Sequence, residues 1–395
     1  MMMLALFWAA QASVVPPPSS FPQSLPDPPP SIVVTGERLS TLRDELAACI
    51  ARKCPPPEEI QRSLALAEIQ FIAGDYLRSR ATLLKARRRN ARHAAQFPID
   101  VADLHRATAL LSNVNGLPDP ARIGTIDAVD ALKKGLPEND PRIFMERLRV
   151  GEVFAREGRL IGALDHYDWV AKGAKSAGLP DIEGQAMLRS AVLLAAVGDM
   201  IKSFEPAARR AADAILARPE PAFLPYRNGV RVLRAQLAPK REREAAVKTA
   251  MQQIEPDPNA KGPLLIYAPP IDMQDAVFGT VANDTPLWAD VAFNIAPDGR
   301  VTEVETLRSA EQVDDRWVEI ATRGLRDRRY APSSIPAGGL ARVERYSFVA
   351  DFVSFGRSRD SLRSRIPVRS SQRRVEVIDI SLPQQQASAK TPAGS

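Results

Sequence analysis

The stretch LWADVAFNIAPDGRV, residues 287–301, decides the fold of the C-terminal part of this chain. It places Val291, Phe293 and Ile295 at alternate positions, which is the period of a half-buried strand. The Pro-Asp-Gly at 297–299 supplies the restricted φ, the Asx side chain and the permissive backbone of a hairpin turn. The sequence therefore predicts two antiparallel strands joined by this turn, with a bulge in the second strand.

A helix and a third strand follow the hairpin. Asp314 and Asp315 stand where carboxylates favour a helix N-terminus, and an apolar stripe follows them at helical spacing. Beyond the Gly-Gly at 338–339, residues 343–355 carry aromatic side chains on one face of a strand. The order of elements is therefore ββαβ, and we expect the last strand to present a free sheet edge. Its aromatic face consists of Tyr346, Phe348, Ala350 and Phe352.

This block, residues 262–356, resembles the C-terminal domain of the TonB energy-transducer family. The resemblance rests on PDGRV at 297–301, the exit RYAP at 329–332 and the aromatic strand FVADF at 348–352. In that family the domain lies in the periplasm and pairs a strand edge with a short segment of an outer-membrane receptor. An unrelated ββαβ module is the alternative, because Asp-Gly hairpins occur in many small domains.

The resemblance implies a non-enzymatic binding domain. Its partner would be an outer-membrane TonB-dependent receptor or another envelope protein. Pairing would use an edge of the sheet, where main-chain groups are available to an added strand. The contact residues implied are Tyr346, Phe348, Ala350, Phe352, Arg329 and Tyr330.

Residues 40–256 have the pattern of helical hairpins. Gly74, Gly116, Gly158 and Gly198 recur at intervals of 42, 42 and 40 residues, and each separates two segments of helical periodicity. A fixed period predicts a solenoid with a concave face, because a single hairpin cannot bury its apolar stripe alone. We predict five hairpins, at about 59–90, 99–134, 142–177, 181–216 and 221–254.

The third hairpin resembles a tetratricopeptide repeat. It carries Val150, Gly151, Phe154, Gly158 and Tyr167 at the matching positions, and small residues there let two helices cross closely. The period is longer than that of the standard repeat. The resemblance implies peptide or protein binding on the concave face, and a structural spacer is the alternative.

The first 39 residues consist of two segments that differ in composition. Residues 1–12 are apolar and end Ala-Gln-Ala, which predicts a signal peptide and export to the periplasm. A short inner-membrane anchor is the alternative, although the run is shorter than a membrane-spanning helix requires. Residues 13–39 form a proline-rich linker with eight prolines between 16 and 30.

A β-branched run closes this linker. It resembles the TonB box of TonB-dependent receptors, which implies an extended strand able to pair with the chain's own sheet. An unpaired linker strand is the alternative. The run consists of Ile32, Val33, Val34 and Thr35.

Cys49 and Cys54 stand at the end of a predicted helix, just before three prolines. A disulfide between them requires the helix to unwind near Arg52, and export would permit oxidation. Two free thiols are the alternative. We expect no metal site, since neither cysteine has nearby histidines or further cysteines in the sequence.

The formal net charge of +6 and the arginine-rich tail, residues 357–395, raise the question of an anionic partner. Nucleic acid is not expected, because the tail lacks interleaved aromatic residues. The tail either contacts acidic headgroups or peptidoglycan, or is a solvated, mostly disordered segment. A short added strand is predicted around Val375, Val377 and Ile378.

These features predict an α+β multidomain protein: an N-terminal all-α helical-hairpin solenoid, followed by the ββαβ domain. His93, His105 and His166 lie in different hairpins, and the chain has no phosphate-binding loop or nucleophile elbow. We therefore expect no cofactor and no catalysis, but a periplasmic interaction module linked to transmembrane transport. The alternatives are an envelope-assembly scaffold in which the ββαβ domain is only structural, and an enzyme whose site residues are scattered.

Overall fold

The computed structural model of the protein describes residues 32–238, 240–255, 265–269, 271, 286–331, 335, 338–353 and 368–381. Over these residues the chain is an α+β structure, in which a helical array precedes a small antiparallel sheet. The expected signal peptide at 1–12 and most of the expected linker at 13–39 lie outside the described residues.

The helical array contains five antiparallel hairpins, and each packs on the next along the chain. Their bounds lie close to those predicted from the glycine period. The pairs are α2 (Pro56–Ile72) with α3 (Tyr76–Asn90), α4 (Pro98–Val114) with α5 (Pro118–Lys133), α6 (Pro141–Arg156) with α7 (Leu160–Ser176), α8 (Pro180–Met200) with α9 (Glu205–Leu216), and α10 (Leu224–Gln236) with α11 (Lys240–Gln252).

Glycine and proline set these boundaries. Gly74, Gly116 and Gly158 adopt φ values of +85°, +72° and +69°, the left-handed conformation in which a helix ends before its partner begins. Proline occupies the first turn of several helices, where its missing N–H costs no hydrogen bond.

The prediction for Gly198 was wrong. Gly198 is buried inside α8, and the chain turns after Met200. A Cβ at Gly198 would lie 3.2 Å from the backbone nitrogen of Glu205, so the missing side chain lets α9 begin close to α8.

A further helix, α1 (Ile32–Ala51), precedes the hairpins and packs on α2. It begins before residue 40, where the array was expected to start, and it includes the run expected to be an extended strand. Leu46 and Cys49 of this helix are buried. Extending a formed helix adds one hydrogen bond per residue, and this outweighs the small helix penalty of β-branched residues. The run in the first turns of α1 is Ile32, Val33, Val34 and Thr35.

The second unit is a four-stranded antiparallel sheet with strand order β3-β2-β5-β6, accompanied by a two-stranded ribbon β1-β4. The Pro-Asp-Gly hairpin joins β2 to β3, and β3 contains bulges as predicted. The strands are β1 (Leu265–Tyr267), β2 (Leu287–Ile295), β3 (Val301–Ser309), β4 (Arg329–Tyr330), β5 (Leu340–Val353) and β6 (Val368–Asp379), and α12 (Asp315–Thr322) lies between β3 and β4.

One face of this sheet packs on α12. Val291 and Phe293 of β2 and Phe348 of β5 form a core with Trp317 and Ile320 of the helix. Asp314 caps α12, as its side chain accepts a hydrogen bond of 2.9 Å from the Arg316 N–H. The ββαβ order predicted from the sequence is therefore present, with β6 added to it.

The short added strand predicted around Val375, Val377 and Ile378 is present, and it is longer than expected, since it takes in residues 368–379 of the tail that was expected to be mostly disordered. They form β6, a full edge strand paired with β5 along its length. Val375 is buried in the core beside α12, and the partly buried Val377 packs against the same core. Residues 382–395 lie outside the described part of the chain.

Candidate protein-interaction site

The aromatic strand does not present the free edge expected from the sequence. β5 is a central strand, paired with β2 on one side and β6 on the other. Tyr346, Phe348 and Ala350 are buried in the core, and burial raises the pKa of Tyr346 well above its ordinary value. The main-chain N–H of Phe352 donates to Gly116 O at 2.7 Å. Tyr346, Phe348 and Ala350 therefore hold the sheet together, and Phe352 is tied to the helical array through its main chain.

Arg329 and Tyr330 also have structural contacts. Both lie in β4, which pairs with β1, and Tyr330 is buried. Burial raises the pKa of Tyr330 to about 12. The Arg329 guanidinium donates to the main-chain oxygens of Arg326 and Arg328, at 2.8 and 2.7 Å. These contacts brace the exit from α12.

The second face of the sheet is covered by the helical array, through a buried ion pair that the sequence did not reveal. Arg345 of β5 is fully buried, and its Nε donates to Asp290 of β2 at 2.6 Å. The same guanidinium donates to the main-chain oxygens of Ile72, at 2.8 Å, and Phe71. It thereby caps the C-terminus of α2, where helix carbonyls lack partners. We call this group the Arg345 latch.

Electrostatics keep the latch charged. Burial would lower the pKa of Arg345, but the hydrogen bonds and charge of Asp290 raise it above the ordinary value. Arg308 of β3 adds a second donor, with its Nε 2.8 Å from Asp290 and its terminal nitrogen 3.0 Å from Ile72 O. The carboxylate is thus neutralised from two sides.

Aromatic packing closes the same interface. Trp288 of β2 lies 3.9 Å from the Arg345 guanidinium and fills the space over Gly74. A Cβ at Gly74 would lie 2.6 Å from the Trp288 indole nitrogen, so this turn admits only glycine. Tyr76 Oη and Ser347 Oγ are 2.8 Å apart in a buried hydrogen bond. The sheet is therefore fixed to the first hairpin.

A sequence signal for this interface existed. In LWAD, residues 287–290, apolar residues stand at adjacent positions, so both faces of β2 must be covered. Leu287 and Ala289 meet α12, whereas Trp288 and Asp290 meet the array.

The open edge lies on β6. Ile380 N–H donates to Val343 O at 2.9 Å, so in the antiparallel register the main-chain groups of Val375, Val377 and Asp379 face away from β5. Among the described residues, none forms a hydrogen bond with the outward main-chain groups of Val375 or Val377. Such groups are available to an added strand.

A cavity of about 320 Å³ runs along this edge. Val375 and Val377 belong to one face of β6 and Glu376 and Ile378 to the other, yet all four line the cavity. Neighbouring strand residues share only the main-chain edge, so the cavity follows that edge. Its volume is within the range of ligand pockets, roughly 300–1,000 Å³. The opposite wall comes from α4, α6 and α8, through residues that include Leu110, Asn113, Val153, Arg156, Arg189 and Val192.

Cys49 and Cys54 form a disulfide with Cα atoms 5.2 Å apart. The helix ends at Ala51, and Lys53 adopts a φ of +55°, which brings the two cysteines together. This is the unwinding near Arg52 that a bridge requires. The link ties the end of α1 to the start of α2.

No protein-family model and no curated protein matches this chain. One solved structure that resembles it is described as the crystal structure of BtubC (BKLC) from P. vanneervenii. That match covers 56% of this chain and 88% of the other, with 14% sequence identity and a TM-score of 0.38. A similarity at this level supports no argument about function. Within the described ranges, every helix is too short or too polar to cross a membrane.

Proposed function

We propose that this protein is a non-enzymatic binding protein of the bacterial cell envelope, which takes an extended segment of a partner as an added strand on β6. The observation that carries the proposal is the cavity along the outward edge of Val375 and Val377. Strand addition obtains affinity from main-chain hydrogen bonds, and side-chain pockets add specificity. Here the helices opposite β6 would supply those pockets.

The resemblance to the TonB C-terminal domain supports this proposal. Of the motifs that carry it, PDGRV at 297–301 forms the hairpin, Arg329 to Ala331 follow α12, and FVADF at 348–352 lies in the central strand β5. The resemblance to tetratricopeptide repeats supports a peptide-binding role for the opposite wall. On this basis the partner is an outer-membrane TonB-dependent receptor or another envelope protein, the compartment is the periplasm, and the process is linked to transmembrane transport.

The pairing strand differs from the one expected from the sequence. β6 covers the edge of β5, so the proposal moves from the aromatic strand to the following one. The outer edge of β3 is the other end of the sheet, but β3 is largely exposed and does not line the cavity.

The test replaces one outward N–H. Val377→Pro removes a donor that faces the cavity, and proline is tolerated at such positions on edge strands. Thr306→Pro is the matched control, because by the register of β2 and β3 its main-chain groups face outward on the opposite edge. The probe is a labelled peptide SIVVTGER, the sequence of residues 31–38, titrated with the full chain and followed by fluorescence anisotropy.

We expect the peptide to bind the wild type and the Thr306→Pro variant alike, and to bind Val377→Pro at least tenfold more weakly. Peptide binding should also slow amide exchange at residues 373–379. Equal affinity for both proline variants, or no binding at millimolar peptide, contradicts the proposal.

A structural role for the sheet is the second candidate, and the Arg345 latch favours it. A buried ion pair that caps α2 joins the sheet to the first hairpin, and a terminal capping unit of a repeat array is held to its neighbour by contacts of this kind. Under this alternative the partner binds only the helices. Substitutions at Val153 or Val192 would then weaken binding, whereas Val377→Pro would not.

A further inference from the structure

The cavity beside β6 lies where two hydrophobic cores of the molecule meet. On one face of the strand, the partly buried Val377 packs against the core around α12, and so do Leu265 and Ile271 of the cavity wall. On the other face, the partly buried Ile378 packs against the core of the first hairpins, and so does Leu110 of the wall. A strand added to β6 would therefore extend a hydrophobic core on each of its two faces.

The charged side chains of the cavity neutralise one another. Among the described residues, five arginines and five carboxylates line it, and each of these arginines forms an ion pair with a carboxylate of the same lining. The pairs are Arg106 and Arg149 with Glu146, at 2.9 and 2.5 Å, Arg156 with Glu376 at 3.5 Å, Arg189 with Glu152 at 2.6 Å, and Arg328 with Glu344 at 2.8 Å. The remaining carboxylate, Asp379, pairs with Arg342 at 2.6 Å. Each charge of the lining thus already has an opposite charge beside it.

This internal pairing disfavours an occupant that carries a charge of either sign. A charged group loses its hydration when it enters the cavity, and it would have to compete with an existing ion pair for each new partner. A neutral apolar side chain instead removes its own surface, and that of Val377 or Ile378, from water. The cavity therefore favours neutral, apolar side chains.

We propose that the partner segment is neutral and apolar at consecutive positions, so that both of its faces are buried when it pairs with β6. The inference rests on the proposed function, because it specifies the side chains of the strand that β6 receives. Successive side chains of a strand point to opposite faces. A strand covered on one face alternates apolar and polar residues, whereas a strand covered on both faces has a continuous apolar run. The partner segment is of the second kind.

The experiment uses the full chain and variants of the labelled peptide SIVVTGER, whose Ile-Val-Val is a run of this kind. Val33 and Val34 of the peptide point to opposite faces, whatever the register or direction of pairing. In the peptide, Val33→Thr and Val34→Thr keep the side-chain shape but replace a methyl group with a hydroxyl. Each should weaken binding about tenfold, because each places a hydroxyl in apolar surroundings. The matched control is Glu37→Gln, which lies beyond the run and should bind as the parent peptide does.

Charge is tested at the same position of the peptide. Val33→Glu and Val33→Lys should each weaken binding by about a hundredfold or more, because neither sign finds an unpaired opposite charge in the lining. The affinity of the parent peptide should change little with added salt. Full affinity of either charged peptide overturns the neutral partner.

Substitutions in the chain assign the two faces. Val377→Thr and Ile378→Thr each change one face of β6, and both side chains are partly buried, so the fold should be intact. Each threonine peptide should show a non-additive change in affinity with the chain variant on its own face and an additive change with the other. Val304→Thr is the matched control, because Val304 is a partly buried valine of β3 that does not line the cavity. It should leave every affinity unchanged.

The outcomes separate this inference from the proposed function. Loss of affinity in only one of the two threonine peptides, with the parent peptide weakened by Val377→Pro, overturns the two-faced partner and leaves strand addition in place. Displacement of the peptide by dodecanol, with no effect of Val377→Pro, overturns both proposals in favour of an acyl chain. A dimer of the full chain that the peptide dissociates overturns a separate partner in favour of a second copy. Failure of the parent peptide to bind removes both proposals.

Discussion

Replacing Arg345 by methionine tests whether the sheet and the helical array form one unit. The substitution keeps most of the side-chain volume but removes the donors to Asp290, Ile72 O and Phe71 O. Asp290 would remain buried with Arg308 as its charged partner among the described residues, and the carbonyls of Phe71 and Ile72 would each lose one of two donors. Removing one partner of a buried ion pair costs about 3–5 kcal/mol. We expect a loss near 3 kcal/mol, because Arg308 still compensates part of the charge.

The assay is urea unfolding followed by circular dichroism, with two companion variants. Arg308→Met removes a donor to the same carboxylate, but the side chain of Arg308 is 45% exposed, so its loss should cost at most about 1 kcal/mol. Asp290→Leu combined with Arg345→Met removes both charges and should be more stable than Arg345→Met alone. If Arg345→Met costs no more than Arg308→Met, the latch is open to water and the reasoning is wrong.

Three further outcomes can be measured in the same way. Cys49→Ser with Cys54→Ser should lower the free energy of unfolding by about 2 kcal/mol and abolish any effect of a reducing agent, because the bridge closes a short loop. Burial raises the pKa of Glu68 to about 7 from 4.5, so the native state binds the proton more tightly and loses stability as the pH rises from 4.5 through 7. The Glu68→Gln variant should not show this loss and should be more stable than the wild type at pH 8. Identical pH profiles of stability for the two proteins would contradict this prediction. Gly299→Ala should cost more than about 2 kcal/mol, since its Cβ would lie 2.0 Å from Tyr330 O, whereas Gly178→Ala, with the same left-handed φ but open space, should cost about 1 kcal/mol.

Local patterns predicted most of the elements. The five hairpins follow from glycine and proline at helix ends, and the β2–β3 hairpin follows from Pro-Asp-Gly, because these residues act through their own backbone. Gly198 shows the limit of that rule. A glycine within an apolar helix serves close packing, and its sequence looks like that of a turn.

The partners of these elements were harder to predict. The alternating pattern in β5 predicted that Tyr346 and Phe348 lie on the same face of the sheet, and they do. The pattern did not indicate which strands lie next to β5. Arg345, between such residues, has the pattern of a solvated position. Its burial depends on Asp290 and on the end of α2, far away in the sequence, and only the folded chain brings these together.

The cavity was missed for the same reason. Arg156 and Arg189 are ordinary polar positions on amphipathic helices, and the strand predicted around Val377 did not indicate which helices lie beside it. None of these residues belongs to a recognisable sequence motif. Their common wall exists because β6 adds to β5 and faces α6 and α8.

The hydrogen bond between Tyr76 and Ser347 joins residues 271 positions apart, and this has a consequence for how the protein is made. The first hairpin leaves the ribosome long before β5 is synthesised, so it must fold with Phe71, Tyr76 and the end of α2 still exposed. Contacts of such separation form late, and exposed apolar surface invites aggregation in the meantime. A chain truncated before Trp288 should therefore expose this apolar surface of the first hairpin and aggregate. The segment between the helical array and the sheet is for this reason a poor boundary for a truncated protein.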